Sequence, residues 1–404
     1  MIQKIIWRST SMVEVAVVSF ARTPIGRYGG IFKNISAVEL GSIAISGALK
    51  KANVSGDEID EVIMGVVWQA GLKGNPARQA AIQAGVTVDA PAMTINQQCS
   101  SGIRAIDIGA DQIRLGKVKV VVAGGFESMS NVPYLDLSGR WGHKRGPKTL
   151  EDSLYYDGLD DAFIGIPMGN TAETVARNAK LTREEVDAFA YESQQKAARA
   201  IEKGRFEEEI VPVVIKSRKG EEIITTDECP RPNTTIDGLS RLQPAFDVEG
   251  ISTAGNSPPL SDGGCALVLM EKKYAESKGL TILGIIRDVV SVGVAPEIMG
   301  YGPVPAIRKL LKRNEISISE IDFLEINEAF GAQALACIKD LKFPKEVVNV
   351  NGGAIALGHP PGNTGARLVG TVLTELRRQD KKLGIATLCA GGGPAIACLI
   401  SRNQ

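Results

Sequence analysis

Cys99 stands in Asn96-Gln97-Gln98-Cys99-Ser100-Ser101-Gly102, after Ala90–Ile95 and ahead of the helical pattern GIRAIDIGADQIRLG. A cysteine at a helix N-terminus faces the positive end of the macrodipole and free backbone N–H groups, which favours the thiolate. Free cysteines also serve as small buried hydrophobes, so this segment alone leaves both readings open. A thiol nucleophile needs a base, and the chain has only two histidines, His143 and His359. His143 lies in the basic run Gly139–Lys148 (GRWGHKRGPK), which reads as a solvated or ligand-binding face. His359 lies in NGGAIALGHPPGNTGAR (351–367), flanked by glycines. Two further motifs carry chemistry. In Leu388-Cys389-Ala390-Gly391-Gly392-Gly393 an apolar strand runs into glycines, whose free N–H groups can bind an oxyanion, and Cys389 at its mouth is a candidate second acid/base or a core thiol. In Asn327-Glu328-Ala329-Phe330 an amide beside a carboxylate can hold a catalytic water or cap a helix. Cys229, Cys265, Cys337 and Cys398 read as core.

The elements that must position these residues come in two copies. ALKKANVSGDEIDEVIM (48–64) and LLKRNEISISEIDFLEI (310–326) align without a gap at an offset of 262 residues, sharing Glu-Ile-Asp before an apolar strand. Ser101-Gly102-Ile103-Arg104 meets Thr364-Gly365-Ala366-Arg367 at an offset of 263, and the strand 120–125 meets 386–392. The duplication sets the His359 loop as the counterpart of the Cys99 loop, so His359 reads as the base for Cys99. Each half alternates strands with helices, which predicts mostly parallel sheets covered by helices. Residues 126–253 have another texture, charged and rich in turns, with one amphipathic helix near 182–203 opened by the capping box Thr182-Arg183-Glu184-Glu185. The expected division is an N-terminal half over 1–125 completed by about 254–278, an inserted loop domain over 126–253, and a C-terminal half over 279–404.

Composition narrows the function classes. The 404 residues are 44% hydrophobic and 23% charged with 44 glycines, a globular α/β texture spread over two to three domains. The formal net charge is zero, so nothing global points to nucleic acid or an anionic membrane. No apolar run reaches membrane-spanning length. Six cysteines without a CxxC pair favour a reduced, cytoplasmic setting. Met1–Ser11, with Lys4 and Arg8 and no acid, reads as a start upstream of Met12 rather than a targeting tail.

NQQCSSG, NEAF, GGAIALGHPPGNTGAR and CAGGG resemble the four signature blocks of the thiolases, as do VVSFARTPIGRYGG (17–30), GGFESM (124–129) and TAGNSPPLSDGG (253–264). The resemblance runs from Met12 essentially to the end. It implies a duplicated α/β/α/β/α layered sandwich with an inserted loop domain that binds CoA and supports a homodimer or homotetramer. The substrates implied are acyl-CoA and CoA, with no metal or redox cofactor, and the setting is lipid and fatty-acid metabolism. Cys99 resembles the nucleophile that carries the acyl group, His359 its activator, and Cys389 the acid/base for the acetyl-CoA carbanion. Asn327 resembles the residue that holds a water and forms one oxyanion hole with His359. The N–H groups of Cys99 and Gly391 resemble the other hole. Substrate contacts are expected from Met168, Met299, Arg231, Ser257 and Phe330.

Departures bear on the substrate. Members specialised for acetoacetyl-CoA usually carry a His-Met pair where this chain has Ile166-Pro167-Met168-Gly169, and proline cannot donate a hydrogen bond. The segment is more similar to that of 3-ketoacyl-CoA thiolases of broader chain length than to that of strict acetoacetyl-CoA acetyltransferases. Pro258 replaces a serine that commonly contacts the pantetheine arm, and Pro361 replaces an aliphatic residue after His-Pro. A carrier-protein synthase needs a second histidine motif, and a papain-like Cys99–His359–Asn327 hydrolase gives Cys389 and the duplication no role. A non-catalytic CoA-binding paralogue would show erosion of a motif, and none is eroded.

Overall fold

The computed structural model describes residues 13–217 and 220–403; the segment Met1–Ser11 lies outside them. Among the described residues the main sheet system is ten-stranded. Its principal strands are β1 (Val15–Arg22), β2 (Glu61–Gly65), β3 (Ala92–Ile95), β4 (Val120–Ser128), β5 (Ser261–Glu271), β6 (Gly284–Gly293), β7 (Phe323–Ile326), β8 (Leu383–Cys389) and β9 (Pro394–Ser401), and the short strand Gly26–Arg27 pairs beside β5. The order is β1-β5-β4-β2-β3 in the first half and β6-β9-β8-β7 in the second. A parallel bridge from Leu324 to Val348 fills the place that β3 takes in the first half. The halves join where β1 meets β6 antiparallel over Val15–Val17.

The duplication reaches down to single hydrogen bonds. Asp60 Oδ2 accepts the N–H groups of Lys119 and Val120, and Asp322 Oδ2 accepts those of Lys382 and Leu383. Both aspartates end the shared Glu-Ile-Asp, and Glu58 and Glu320 close capping boxes with Ser55 and Ser317. The sheets are mixed, not mostly parallel as the strand–helix alternation predicts. Only the pairs β2–β3, β2–β4 and β7–β8 are parallel; β5 and β9 run against both neighbours. The cause is local: β9 follows β8 through the turn Ala390–Gly393, and a short turn can only reverse the chain, whereas a parallel return needs a crossover.

Five layers result. Helices α1 (Ala37–Ala52) and α2 (Pro76–Gln83) cover the outer face of the first half, packing on Val62, Val122 and Val268. Helices α6 (Pro303–Asn314) and α7 (Gly331–Leu341) cover the outer face of the second, on Leu324, Ile385 and Leu399. Between the sheets lie α3 (Ser101–Arg114) and α8 (Pro361–Arg378), wedged among Val121, Leu267, Leu388 and Ile396. Alternate residues of each strand serve opposite cores, Val121 and Ala123 inward but Val120 and Val122 outward. Helix α8 is buried on every side from Pro361 to Leu376, as a middle-layer helix must be.

The connection from β4 to β5, residues 129–260, carries α4 (Met168–Asn178) and α5 (Arg183–Glu202). Helix α5 begins at the expected capping box, with Thr182 accepting from the Glu185 N–H. A buried ion cluster ties this connection to the sheet: Arg22 on β1 holds Glu209 at 3.0 Å and Asp227 at 2.7 Å. Removing one partner of such a cluster typically costs about 3–5 kcal/mol, since it strands a buried charge.

Candidate active site

Cys99 stands two residues ahead of α3, and His359 two residues ahead of α8. What brings these starts together is a glycine crossing. A Cβ built on Gly102 would lie 2.7 Å from the Ala366 nitrogen, and one on Gly365 would lie 2.7 Å from the Ile103 nitrogen. Backbone therefore packs on backbone, and the contact is reciprocal, as expected of two copies related by a pseudo-two-fold axis. Across that crossing His359 Nε2 reaches Cys99 Sγ at 3.3 Å, although 260 residues separate them.

The hydrogen bonds of Thr364 favour one tautomer of His359. Thr364 Oγ1 donates to the Pro360 carbonyl at 2.8 Å, which commits its one hydrogen. It can then only accept from His359 Nδ1, 2.8 Å away. The proton therefore sits on Nδ1, and the lone pair of Nε2 faces the thiol. Burial, helped by the charge of Arg367, lowers the His359 pKa to about 3. Pro360 is the N-cap of α8 and Pro361 its first residue. Proline suits that first position because its missing N–H has no helical partner there.

Gln98, at φ +50°, is a non-glycine residue in the left-handed region immediately before Cys99. Its carbonyl accepts the Ser101 hydroxyl at 2.6 Å, which locks the turn. The N–H groups of Gly391 and of Cys99 itself reach the Cys99 sulfur and favour the thiolate. Burial outweighs them and pushes the thiol up to about 12. Desolvation therefore exceeds the effect of the two amide dipoles that favour the thiolate. The resting pair is a neutral thiol against a neutral imidazole. Such a pair can transfer its proton as the sulfur attacks.

A cavity of about 240 Å³ opens on this pair, lined by Cys99, His359, Gly391, Met168, Met299, Phe330 and Ser257 among others. Pro167, Pro258, Pro259 and Pro361 line it too. Cys389 lies just behind the lining, 1% exposed and packed with Met299, Ala329, Met168 and Phe330. Burial and the nearby Cys99 sulfur push its thiol well above the ordinary value. Asn327 is fully buried at the end of β7, its Nδ2 3.4 Å from His359 Nε2. It caps no helix, since α7 begins at Gly331 with Phe330 as its N-cap. Its neighbour Glu328 is a brace, accepting from Ser193, Asn349 and the Ile355 N–H. Of the expected contacts only Arg231 is absent from the lining, being exposed on a turn with its N–H on Gln194. His143 is exposed in its basic run, as the solvated reading has it.

Two participants escaped the sequence reading. Thr364 was visible only as the first residue of the repeated Thr-Gly-Ala-Arg, where its spacing of five from His359 was the available signal. Glu127 was visible only inside GGFESM. It is fully buried, and its carboxylate accepts the N–H groups of Val67, Trp68 and Gly362, clamping the cavity wall to the start of α8. Burial raises its pKa to about 8 against those three bonds.

Comparison with known proteins gives one answer over the whole chain. Residues 15–273 match the thiolase N-terminal domain and residues 280–402 the thiolase C-terminal domain. An acetyl-CoA acetyltransferase of Shinella zoogloeoides is 48% identical over 385 residues, 95% of this chain and 98% of that protein. The crystal structure of the Bacillus anthracis acetyl-CoA acetyltransferase superposes with a TM-score of 0.95 at 44% identity, covering 97% of this chain and 99% of that one. Human mitochondrial 3-ketoacyl-CoA thiolase superposes with a TM-score of 0.94 at 39% identity, again over 97% of this chain and 99% of that one. With a duplicated five-layer fold, and a cysteine and histidine paired across its centre, this chain belongs to the thiolase family of acyltransferases.

Proposed function

We propose that the protein cleaves 3-ketoacyl-CoA with CoA, and runs the reverse condensation of acetyl-CoA with an acyl-CoA, through an acyl-enzyme on Cys99. In cleavage, Cys99 gives its proton to His359 Nε2 as the sulfur bonds to the 3-keto carbon. The carbonyl oxygen becomes an oxyanion held by the N–H groups of Cys99 and Gly391. The bond between C2 and C3 then breaks, its electron pair stays with the acetyl-CoA fragment, and Cys389 supplies the proton that completes acetyl-CoA. CoA thiol next gives its proton to the Cys389 thiolate and attacks the acyl-enzyme; acyl-CoA leaves as the Cys99 sulfur takes its proton back from His359. Asn327, whose buried Oδ1 makes no hydrogen bond among the described residues, suits a water that steadies the enolate oxygen beside His359.

The observation that carries this reading is the 3.3 Å contact of Cys99 with the unprotonated nitrogen of His359 at the floor of an acyl-sized cavity. Both proton carriers are side chains, so the chemistry calls for no metal or redox cofactor. We read residues 126–253 as the loop domain that holds CoA, with Arg231 on a phosphate. Pro167 and Met168 on the cavity wall favour broad chain length over strict C4 specificity. Cytoplasmic fatty-acid metabolism and a homodimer or homotetramer complete the proposal. Exposed Trp141, Leu137 and Tyr134 suit an oligomer contact, and no described helix is long and apolar enough to cross a membrane. The test is a panel of C4 to C16 3-ketoacyl-CoAs with wild type and Cys99→Ala. Wild type is expected to thiolyse several lengths with comparable kcat/KM and Cys99→Ala none. Turnover by Cys99→Ala would sink the mechanism, and a steep preference for C4 would sink the broad specificity.

A further inference from the structure

The turn that presents the Gly391 N–H is made of glycines and does not hold itself. Gly393 N–H closes on the Ala390 carbonyl at 3.2 Å, leaving Gly391 and Gly392 at the two central positions, with Gly392 at φ +82°. Two adjacent glycines place almost no steric restriction on the peptide between them, so that peptide can flip within the same closed turn. What faces it is Asp161, 1% exposed, from the connection between β4 and β5. Asp161 Oδ2 accepts the Gly392 N–H at 3.1 Å. Its other oxygen accepts from Phe163 at 2.9 Å and Ile164 at 3.2 Å, so the carboxylate is itself fixed. The loop is closed on both sides of it, by Asp161 N–H on the Ile166 carbonyl at 2.9 Å and Gly165 N–H on the Asp161 carbonyl at 2.8 Å. A flipped peptide would turn the Gly391 carbonyl toward this anion, so only one orientation is allowed.

The same segment presses on the turn at two more points. A Cβ on Gly392 would lie 3.0 Å from the Phe163 ring, and one on Gly391 would lie 2.4 Å from the Met168 methyl. Residues 161–168 therefore grip the glycine turn with a carboxylate, a ring and a thioether.

We propose that Asp161 is a positioning residue: its carboxylate anchors the Gly391–Gly392 peptide, which shares the Gly391 Cα with the Ala390–Gly391 peptide before it, and so steadies the Gly391 N–H that faces the thioester oxyanion on Cys99. This rests on the acyl-enzyme reading above. Asp161 touches neither substrate nor the reacting atoms, so its loss acts on the rate of acyl transfer and leaves ground-state binding alone. Removing an oxyanion donor outright costs about a hundredfold to a thousandfold; a donor that remains but wanders costs less.

The test is isotope exchange between acetyl-CoA and labelled CoA, which reports acyl transfer to and from Cys99 without carbon–carbon chemistry. Asp161→Ala is expected to lower kcat for exchange about tenfold to a hundredfold with KM for acetyl-CoA within about threefold of wild type. Asp161→Asn keeps one acceptor oxygen and a similar shape, and is expected to recover most of that loss. Should Asp161→Ala not fold, Asp161→Asn decides alone, by a severalfold drop in kcat at unchanged KM. Wild-type kcat in the folded variants, or a loss confined to KM, would overturn the assignment. Wild-type enzyme that exchanges no label would instead overturn the acyl-enzyme reading itself.

Discussion

The start of α3 and the end of β8 each bring a cysteine to the same cavity, and they treat it in opposite ways. Cys99 meets a ring nitrogen at 3.3 Å and two backbone N–H groups, and it lines the cavity. Cys389 has methionine, alanine and phenylalanine side chains around it, and it stands behind the lining at 1% exposure. Burial raises both thiols, so neither is a resting thiolate. The difference lies in what each can do when a substrate arrives. A thiol with a base in contact can lose its proton in the act of bonding to carbon. A thiol in apolar surroundings can lend a proton to a carbanion and take it back. In the proposed mechanism the two halves of the duplication supply one nucleophile and one proton carrier from the same residue type.

The largest effects should come from breaking that difference. Cys389→Ala is expected to cut thiolysis and condensation by about a thousandfold or more, within the range of lost acid–base catalysis. Labelled acetyl transfer from acetyl-CoA to Cys99 should stay within about tenfold of wild type, since no carbanion forms in that step. His359→Ala should lose both. If Cys389→Ala also lost acetyl transfer, the two sulfurs would share a role and the contrast would fall.

A smaller effect should follow from separating the regions. Gly365→Ala places a Cβ 2.7 Å from the Ile103 nitrogen, and backbone cannot swing aside as a side-chain end can. The central helices must part by some tenths of an ångström. Overpacking of this sort costs about 1–3 kcal/mol, which lowers Tm modestly in a chain this long. The larger consequence is at Cys99 and His359, which ride on those helices, and misplacement approaching 1 Å costs about a hundredfold in rate. The expected result is a folded protein with kcat reduced by about tenfold to a hundredfold. Full activity in a variant of lowered Tm would show that the crossing serves stability alone.

How much of this the sequence carried depends on the range of the forces involved. Cys99, His359, Cys389 and Gly391 were legible because each sits at the end of a repeated element, and the repeat fixes where such ends converge. The repeat implied two strand–helix halves, and the resemblance to the thiolases implied their five layers. Strand direction in the sheets was not legible, because it depends on the turn Ala390–Gly393 and the pairing of β5, which hydrophobic pattern does not encode. Nor was the charge state of Cys99: the helix terminus argues locally for a thiolate, and desolvation by the packed halves reverses it. Glu127 and Asp161 were hidden for a similar reason. A buried carboxylate that accepts only backbone N–H groups has no sequence partner to give it away.

The smallest predicted effect concerns the proton on His359. Thr364→Val keeps the shape and removes the acceptor for Nδ1–H, leaving a buried donor without a partner, at about 1–3 kcal/mol. The ring can escape that cost by moving its proton to Nε2. There it would donate toward Cys99 and could no longer take the thiol's proton. Thr364→Val is therefore expected to lower kcat/KM by about tenfold, in line with a partial loss of base catalysis. Thr364→Ser, which restores the hydroxyl, should recover most of it. The pH profile separates this from simple loosening. With the His359 pKa lowered to about 3, the base stays unprotonated far below the ordinary value of 6.5. Wild-type kcat/KM should then show no acid limb near about pH 6.5, the value for a free imidazole. If Thr364→Val admits water and relieves the burial that lowers His359, protonation rises into the working range, and an acid limb appears as pH falls through about 6. A rate loss without that limb assigns the effect to the tautomer; a limb near 6.5 already present in wild type would mean that His359 is not desolvated, and that Cys99 works against a base no different from one in water.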